Sequence, residues 1–149
     1  MAINSDFRDL FVALNAAGCR YLLVGGYAMA AHGAPRFTKD LDIWVEPKVT
    51  NAARVVEALT AFGAPREHLV GIDLTAPDTI FQIGVPPSRI DIIASIDGVT
   101  FEGAWAGKAS MSFGGVPITV LGRRQMIQNK RAVGRLQDLA DAERLEQFE

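Results

Sequence analysis

Three acids and a pair of glycines carry the chemistry this sequence offers. Asp40 and Asp42 lie in Lys39-Asp40-Leu41-Asp42-Ile43-Trp44-Val45, an alternation that reads as a strand. Its two-residue period puts both carboxylates and Trp44 on one face, the acids about 7 Å apart. Aspartate is disfavoured in strands and like charges repel, so the pair calls for a neutralising partner. Hard oxygen donors select a divalent cation, Mg²⁺ or Mn²⁺; the plain alternative is a solvated strand end. Asp91 lies in Arg89-Ile90-Asp91-Ile92-Ile93, an acid inside an otherwise apolar strand. By itself it reads equally as a buried, hydrogen-bonded side chain. If the two strands are neighbours, three carboxylates converge and can hold two metal ions, the clamp for in-line phosphoryl or nucleotidyl transfer. Val24-Gly25-Gly26 ends an apolar run and opens a short helical segment. Glycines there let backbone N–H groups approach a phosphate, although a Gly-Gly pair alone marks no more than a tight turn.

The elements that must position these groups follow from periodicity. Ser5 to Ala17 predicts a helix with Phe7, Leu10, Phe11 and Leu14 on one stripe, Ser5 as its cap and Gly18 as its stop. Arg20 to Val24 predicts a strand, Tyr27 to His32 a short helix, and Asp40 to Glu46 the acidic strand, ended by Pro47. A helix capped by Thr50 runs to Phe62 with Val55, Val56, Leu59 and Phe62 inward. Leu69 to Leu74 reads as a strand; Thr79 to Val85, Pro86-Pro87-Ser88 and Arg89 to Ser95 read as strand, turn and strand. Phe101 to Ala109 predicts a short helix, Val116 to Leu121 a strand, and Gln125 to Val133 and Gln137 to Phe148 two helices parted by Gly134. Helices interleaved with strands make this an α/β (α+β) chain, a mixed sheet flanked by helices with a C-terminal helix pair. At 149 residues one domain is expected, its core over about 20–121 and the helix pair over about 123–148.

A Gly-Gly turn, Asp-x-Asp on a strand soon after, and a third Asp on a later strand together resemble the polymerase-beta nucleotidyltransferase superfamily, on Val24, Gly25, Gly26, Asp40, Leu41, Asp42 and Asp91. The segments VGGYAMAAHGAPRFTKDLDIWV, PPSRIDIIASIDGVTF and MIQNKRAVGRLQDLADAERL are further similar to small bacterial stand-alone nucleotidyltransferase-like proteins related to AbiE-type toxins. The resemblance implies a nucleotidyltransferase fold and Mg²⁺-dependent transfer of an NMP from an NTP to a hydroxyl. It implies that Gly25 and Gly26 hold the triphosphate, that Asp40 and Asp42 ligate the metal, and that Asp91 completes the second metal site and accepts the hydroxyl proton. It also implies that Lys130 contacts nucleotide phosphates with Asp138 orienting it, and that Arg135 serves one of those two jobs. The acceptor it implies is an RNA 3′ end such as tRNA, a protein or a small molecule. A cognate toxin or antitoxin is an implied partner.

Other residues carry plainer expectations. Lys130 shares a helix face with Met126 and Val133, where a lysine either snorkels or reaches a buried anion. Arg36, Thr38 and Lys39 precede the acids in a loop, and Arg36 is the best placed for a substrate phosphate. Tyr27 and Trp44 could stack a base but more often pack a core. His32 reads as packed or capping, Cys19 as a small buried residue, and Arg89 as a partner for the carboxylates.

The net charge of −2 argues against a surface given over to nucleic acid. It sums unlike parts: between Gly103 and Arg135 there is no acid and there are six bases, Lys108, Arg123, Arg124, Lys130, Arg131 and Arg135. That stretch favours a polyanionic acceptor, or else is a solvated helix face. No apolar run could span a bilayer. One cysteine forms no internal disulfide, and MAINSDFRDLF lacks the pattern of a signal peptide, so the cytoplasm is expected. The competing reading is a non-catalytic nucleotide- or partner-binding module of a toxin–antitoxin pair; a metal-dependent phosphohydrolase comes third.

Overall fold

The computed structural model describes residues 4–35 and 38–147. In chain order the elements are α1 (Ser5–Ala16), β1 (Tyr21–Val24), α2 (Gly25–Ala31), β2 (Leu41–Val45), α3 (Val49–Phe62), α4 (Arg66–Leu69), β3 (Ile80–Ile83), β4 (Ile90–Ile93), α5 (Phe101–Ala106), β5 (Ala109–Phe113), β6 (Val116–Val120), α6 (Arg123–Val133) and α7 (Leu136–Glu146). The six strands form one mixed sheet in the order β3-β4-β2-β1-β6-β5. β1 runs antiparallel to β2 and parallel to β6, β2 runs parallel to β4, and β3 and β5 are antiparallel edge strands.

Alternation along the strands assigns the two faces. Tyr21 pairs with Val45 and Leu23 with Ile43, so these share a face with Leu41. Phe11 of α1 packs its ring on Tyr21, with centroids 5.8 Å apart, and on Phe113 of β5 at 5.4 Å, which places α1 over that face. α3 packs beside it, burying Val55, Ala58 and Leu59. The opposite face carries two rows. One joins Leu22, Trp44, Ile93 and Ile80; the other joins Val24, Asp42, Asp91 and Gln82. Trp44 meets Phe101 of α5 edge-to-face at 5.0 Å and donates its indole N–H to Ala94 O at 3.2 Å. It is core, and offers no base-stacking surface.

The structure shifts several expected boundaries. Asn4, not Ser5, caps α1, accepting from Asp6 N and Phe7 N at 2.9 and 3.1 Å. α3 begins at Val49 with no side-chain cap, so Thr50 lies inside it. Leu69 to Leu74 is no strand: the chain turns once as α4 and continues through turns that bury Leu69 and Leu74. The helix from Phe101 ends at Ala106, and the residues after it form β5. That strand's Ser-Met-Ser alternation is too weakly apolar to announce it in sequence.

Asn51, almost wholly buried on α3, laces the ends of β1 and β2 together. It accepts from Arg20 N at 2.8 Å and donates to Arg20 O and Glu46 O, both at 3.0 Å. Arg20 O also accepts from Glu46 N and Glu46 O from Lys48 N, so removing the amide leaves the Arg20 N–H as the group without a partner. Asn51→Ala is expected to cost about 1–2 kcal/mol in urea unfolding, chiefly for that one orphaned donor.

Candidate active site

The parallel register of β2 and β4 sets Asp42 directly beside Asp91. Adjacent strands lie about 4.8 Å apart, so the two carboxylates are immediate neighbours. Asp40 stands just ahead of β2 and Arg89 just ahead of β4. Arg89 Nε lies 3.9 Å from Asp40 Oδ2 and 3.7 Å from Asp91 Oδ1. That oxygen of Asp91 is buried and has no hydrogen-bond partner.

Burial first, then the charges of Asp91 and Asp40 and a hydrogen bond shared with Asp91, push Asp42 up to about 7; Lys130 opposes the shift. A raised acid means that the folded state binds the proton more tightly than the unfolded chain. The resulting stabilisation is complete below about pH 4 and is lost as the pH rises through about 7. Metal-free Asp42→Asn should therefore melt several degrees above the parent protein at pH 8 and converge with it near pH 4. Thermal unfolding in the presence of a chelator checks this.

The glycines meet the acids from the β1 side. Gly25, with φ +73°, opens α2, and a Cβ there would overlap Asp42 Oδ2. A Cβ on Gly26 would stand 2.6 Å from Thr38 Cβ. The pair thus makes room for the carboxylate and for the loop that leads to it, a packing role the sequence did not reveal. Arg36 lies outside the described residues, as does Phe37. Just before them, Pro35 O accepts from Arg144 of α7 at 3.0 Å.

α6 and α7 bring a second charged group to the same face. Lys130 Nζ lies 3.2 Å from Asp141 Oδ2 and 3.7 Å from Asp138 Oδ1. Asp141 is 0% exposed and Asp138 2%. The nearer partner is therefore Asp141, which the sequence reading did not single out, although Asp138 and Asp141 stand one turn apart on one helix face. Gln137 donates to Asp141 Oδ1 at 2.9 Å. Arg135 donates through Nε to Asp138 Oδ2 at 2.6 Å and holds that carboxyl below the usual range, with Lys130 adding to the effect. Arg135 is thus engaged by a protein carboxylate. Cutting Lys130 to Met takes a cation from two buried acids, of which Asp138 keeps Arg135 and Asp141 keeps Gln137, and should cost about 3 kcal/mol, the low end for a buried pair losing one partner. Adding Asp141→Asn should recover a large part of that loss in chemical unfolding.

The basic stretch is largely internal to this helix pair. α7 supplies Asp138 and Asp141 to Lys130, Asp138 to Arg135, and Glu146 to Arg131. Lys108 folds over the Trp105 ring at 4.3 Å and donates to Trp105 O. Among the described residues Arg123 and Arg124 carry no ion pair. His32 Nε2 sits 2.7 Å from Leu121 O at the end of α2, and Tyr27 packs edge-to-face on Phe7 at 5.4 Å. The thiol of Cys19 is pushed up to about 11, chiefly by burial, which leaves it inert.

Among the described residues no group of three or more His, Cys, Asp or Glu side chains is drawn up to hold a metal ion. What the strands provide is the Asp42–Asp91 pair with Asp40 beside it, tied to Arg89. The pair fits a cation: it is acidic, half-buried, mutually repelling and has one buried oxygen without a hydrogen bond. No helix among the described residues is long and apolar enough to cross a membrane.

No family model matches the sequence, and no curated protein is similar to it. Solved structures are similar in fold. TM1012 of Thermotoga maritima, an inferred nucleotidyltransferase, superposes with a TM-score of 0.62 at 15% identity, over 99% of this chain and 94% of its own. LnuA, a lincosamide antibiotic adenylyltransferase with lincomycin bound, gives 0.62 at 13% identity over 98% of both chains. A nucleotidyltransferase-like antigen of Paracoccidioides brasiliensis gives 0.52 at 10% identity, over 96% of this chain and 74% of its own. The chain has the nucleotidyltransferase fold, a mixed six-stranded sheet flanked by helices.

Proposed function

We propose that this protein transfers a nucleoside monophosphate from a nucleoside triphosphate to a hydroxyl group. The observation that carries this reading is the Asp42–Asp91 pair, in register on adjacent parallel strands, with an unsatisfied oxygen and a glycine pair at its flank. Fold neighbours that are nucleotidyltransferases support it. Asp42 and Asp91, with Asp40 beside them, would hold a divalent cation, which when bound supplies positive charge to the phosphates and the leaving pyrophosphate.

The chain's own groups supply the rest. Gly25 and Gly26 offer backbone N–H groups to the triphosphate without Cβ atoms in the way. Lys130, held by Asp141 and Asp138, keeps an ammonium close enough to act on Asp42. Asp91 takes the proton of the attacking hydroxyl. The hydroxyl oxygen bonds to the α-phosphorus as the bond from that phosphorus to the pyrophosphate oxygen breaks, and pyrophosphate departs. Such a transfer is mostly positioning and charge compensation. Arg36, from its place in the loop before the acids, and Arg135, by resemblance, are proposed nucleotide contacts; Arg135 would have to exchange Asp138 for a phosphate.

A small molecule is the acceptor we favour. Most of the basic stretch is satisfied within the protein, and LnuA, matched along its length, is an adenylyltransferase that carries lincomycin. The second reading is AbiE-type kinship, with tRNA or a protein as acceptor and a cognate toxin or antitoxin as partner. The segment resemblance and the unpaired Arg123 and Arg124 favour it. Incubation with α-labelled nucleoside triphosphates, Mg²⁺ and either a small-molecule extract or total RNA decides. Label is expected on a small molecule, falling at least about a hundredfold in Asp42→Asn and Asp91→Asn. Nucleotide binding without transfer to any acceptor, or transfer that survives both substitutions, would sink the proposal.

A further inference from the structure

The carboxylate pair has two unlike flanks. On the β1 side Gly25 closes against Asp42. On the other side lies β3, the edge strand, with no strand beyond it. Antiparallel register sets Gln82 beside Asp91 on the same face, and Ile80 beside Ile93 in the next row. The tight return at Gly84 fixes that register: φ is +79°, and a Cβ would stand 2.5 Å from Ser88 O. Gln82 is exposed and its side chain forms no hydrogen bond among the described residues, and Ile80 is 64% exposed.

We infer that the β3 flank is the acceptor subsite, with Gln82 binding the acceptor's hydroxyl groups and Ile80 flooring it. The acceptor is a small, uncharged, hydroxyl-bearing molecule with an apolar part. This inference rests on the nucleotidyl-transfer reading. The triphosphate occupies the glycine flank, so a hydroxyl that gives its proton to Asp91 arrives from the side Asp42 does not fill. That side is the row position of Gln82, whose amide both donates and accepts and so suits a neutral polyol. Ile80 and Ile93 beside it offer apolar surface to a hydrocarbon portion. Neither β3 nor β4 carries a cation, and Arg89, just ahead of β4, is held between Asp40 and Asp91. These two strands therefore offer a polyanion no counter-charge of their own.

Nuclear magnetic resonance on the full chain with α,β-methylene-ATP and Mg²⁺ tests the assignment, using n-hexyl β-D-glucoside as the probe and a short oligoribonucleotide as the comparator. The glucoside should saturably shift the Gln82 side-chain amide and the Ile80 methyl signals. Its affinity should fall by about threefold or more in Gln82→Ala and in Ile80→Ser. Both positions are exposed, and the spectrum of each variant reports its fold directly. Glucoside shifts confined to other surfaces, an unchanged affinity in both variants, or β3 shifts caused by the oligonucleotide instead would overturn the inference. The Gly25 and Gly26 amides report nucleotide binding independently. If they respond while β3 stays silent to the glucoside, the acceptor assignment alone falls. If they ignore the nucleotide, the nucleotidyl-transfer reading falls and takes this inference with it.

Discussion

Two carboxylates forced side by side organise this molecule. Nothing in the packing of a mixed sheet asks for Asp42 and Asp91 in one row, and their repulsion works against folding. The arrangement persists because the strands around it are fixed by other means. Leu41, Ile43, Ile90 and Ile92 are buried on the opposite face of the same strands. A one-residue slip in β2 or β4 would turn those side chains outward, so the apolar face dictates where the acids sit.

The surrounding elements answer that local excess of negative charge in graded ways. Arg89 reaches Asp40 and Asp91 from the strand ends, and Lys130 acts on Asp42 from α6. Lys130 is itself held by two acids buried more completely than the ones it faces. A lysine between two carboxylate pairs loses little mobility on meeting a further anion, because its side chain is already ordered. The glycine flank adds space rather than charge.

Much of this was legible in the sequence because it rests on short-range pattern. The two-residue period of Asp40-Leu41-Asp42 and the apolar setting of Asp91 announced the acids, while the Gly-Gly pair was read as room for a phosphate and not for Asp42 and Thr38. The adjacency of β2 and β4 was not legible, since strand order depends on pairings across long stretches of chain. The six bases of 103–135 read as a basic field because their partners Asp138, Asp141 and Glu146 lie further along, on a helix whose docking no local rule supplies. Asp141 was missed for the same reason: on one helix it is another polar residue, and its meaning comes from Lys130 on the next. β5 was hidden by Ser110 and Ser112, which soften its alternation, and Asn4 took the cap from Ser5 by a single residue.

Asn51 bears on how this sheet can move. It ties Arg20 to Glu46 at the end of the β1–β2 ladder remote from the acids. The β1–β2 pair is therefore closed at both ends, by α2 and the chain leading to β2 beside the acids and by Asn51 at the far end. Sliding one strand past the other would break the amide's three hydrogen bonds. A side chain remote from the acids thus acts as a register pin that keeps Asp42 level with Val24.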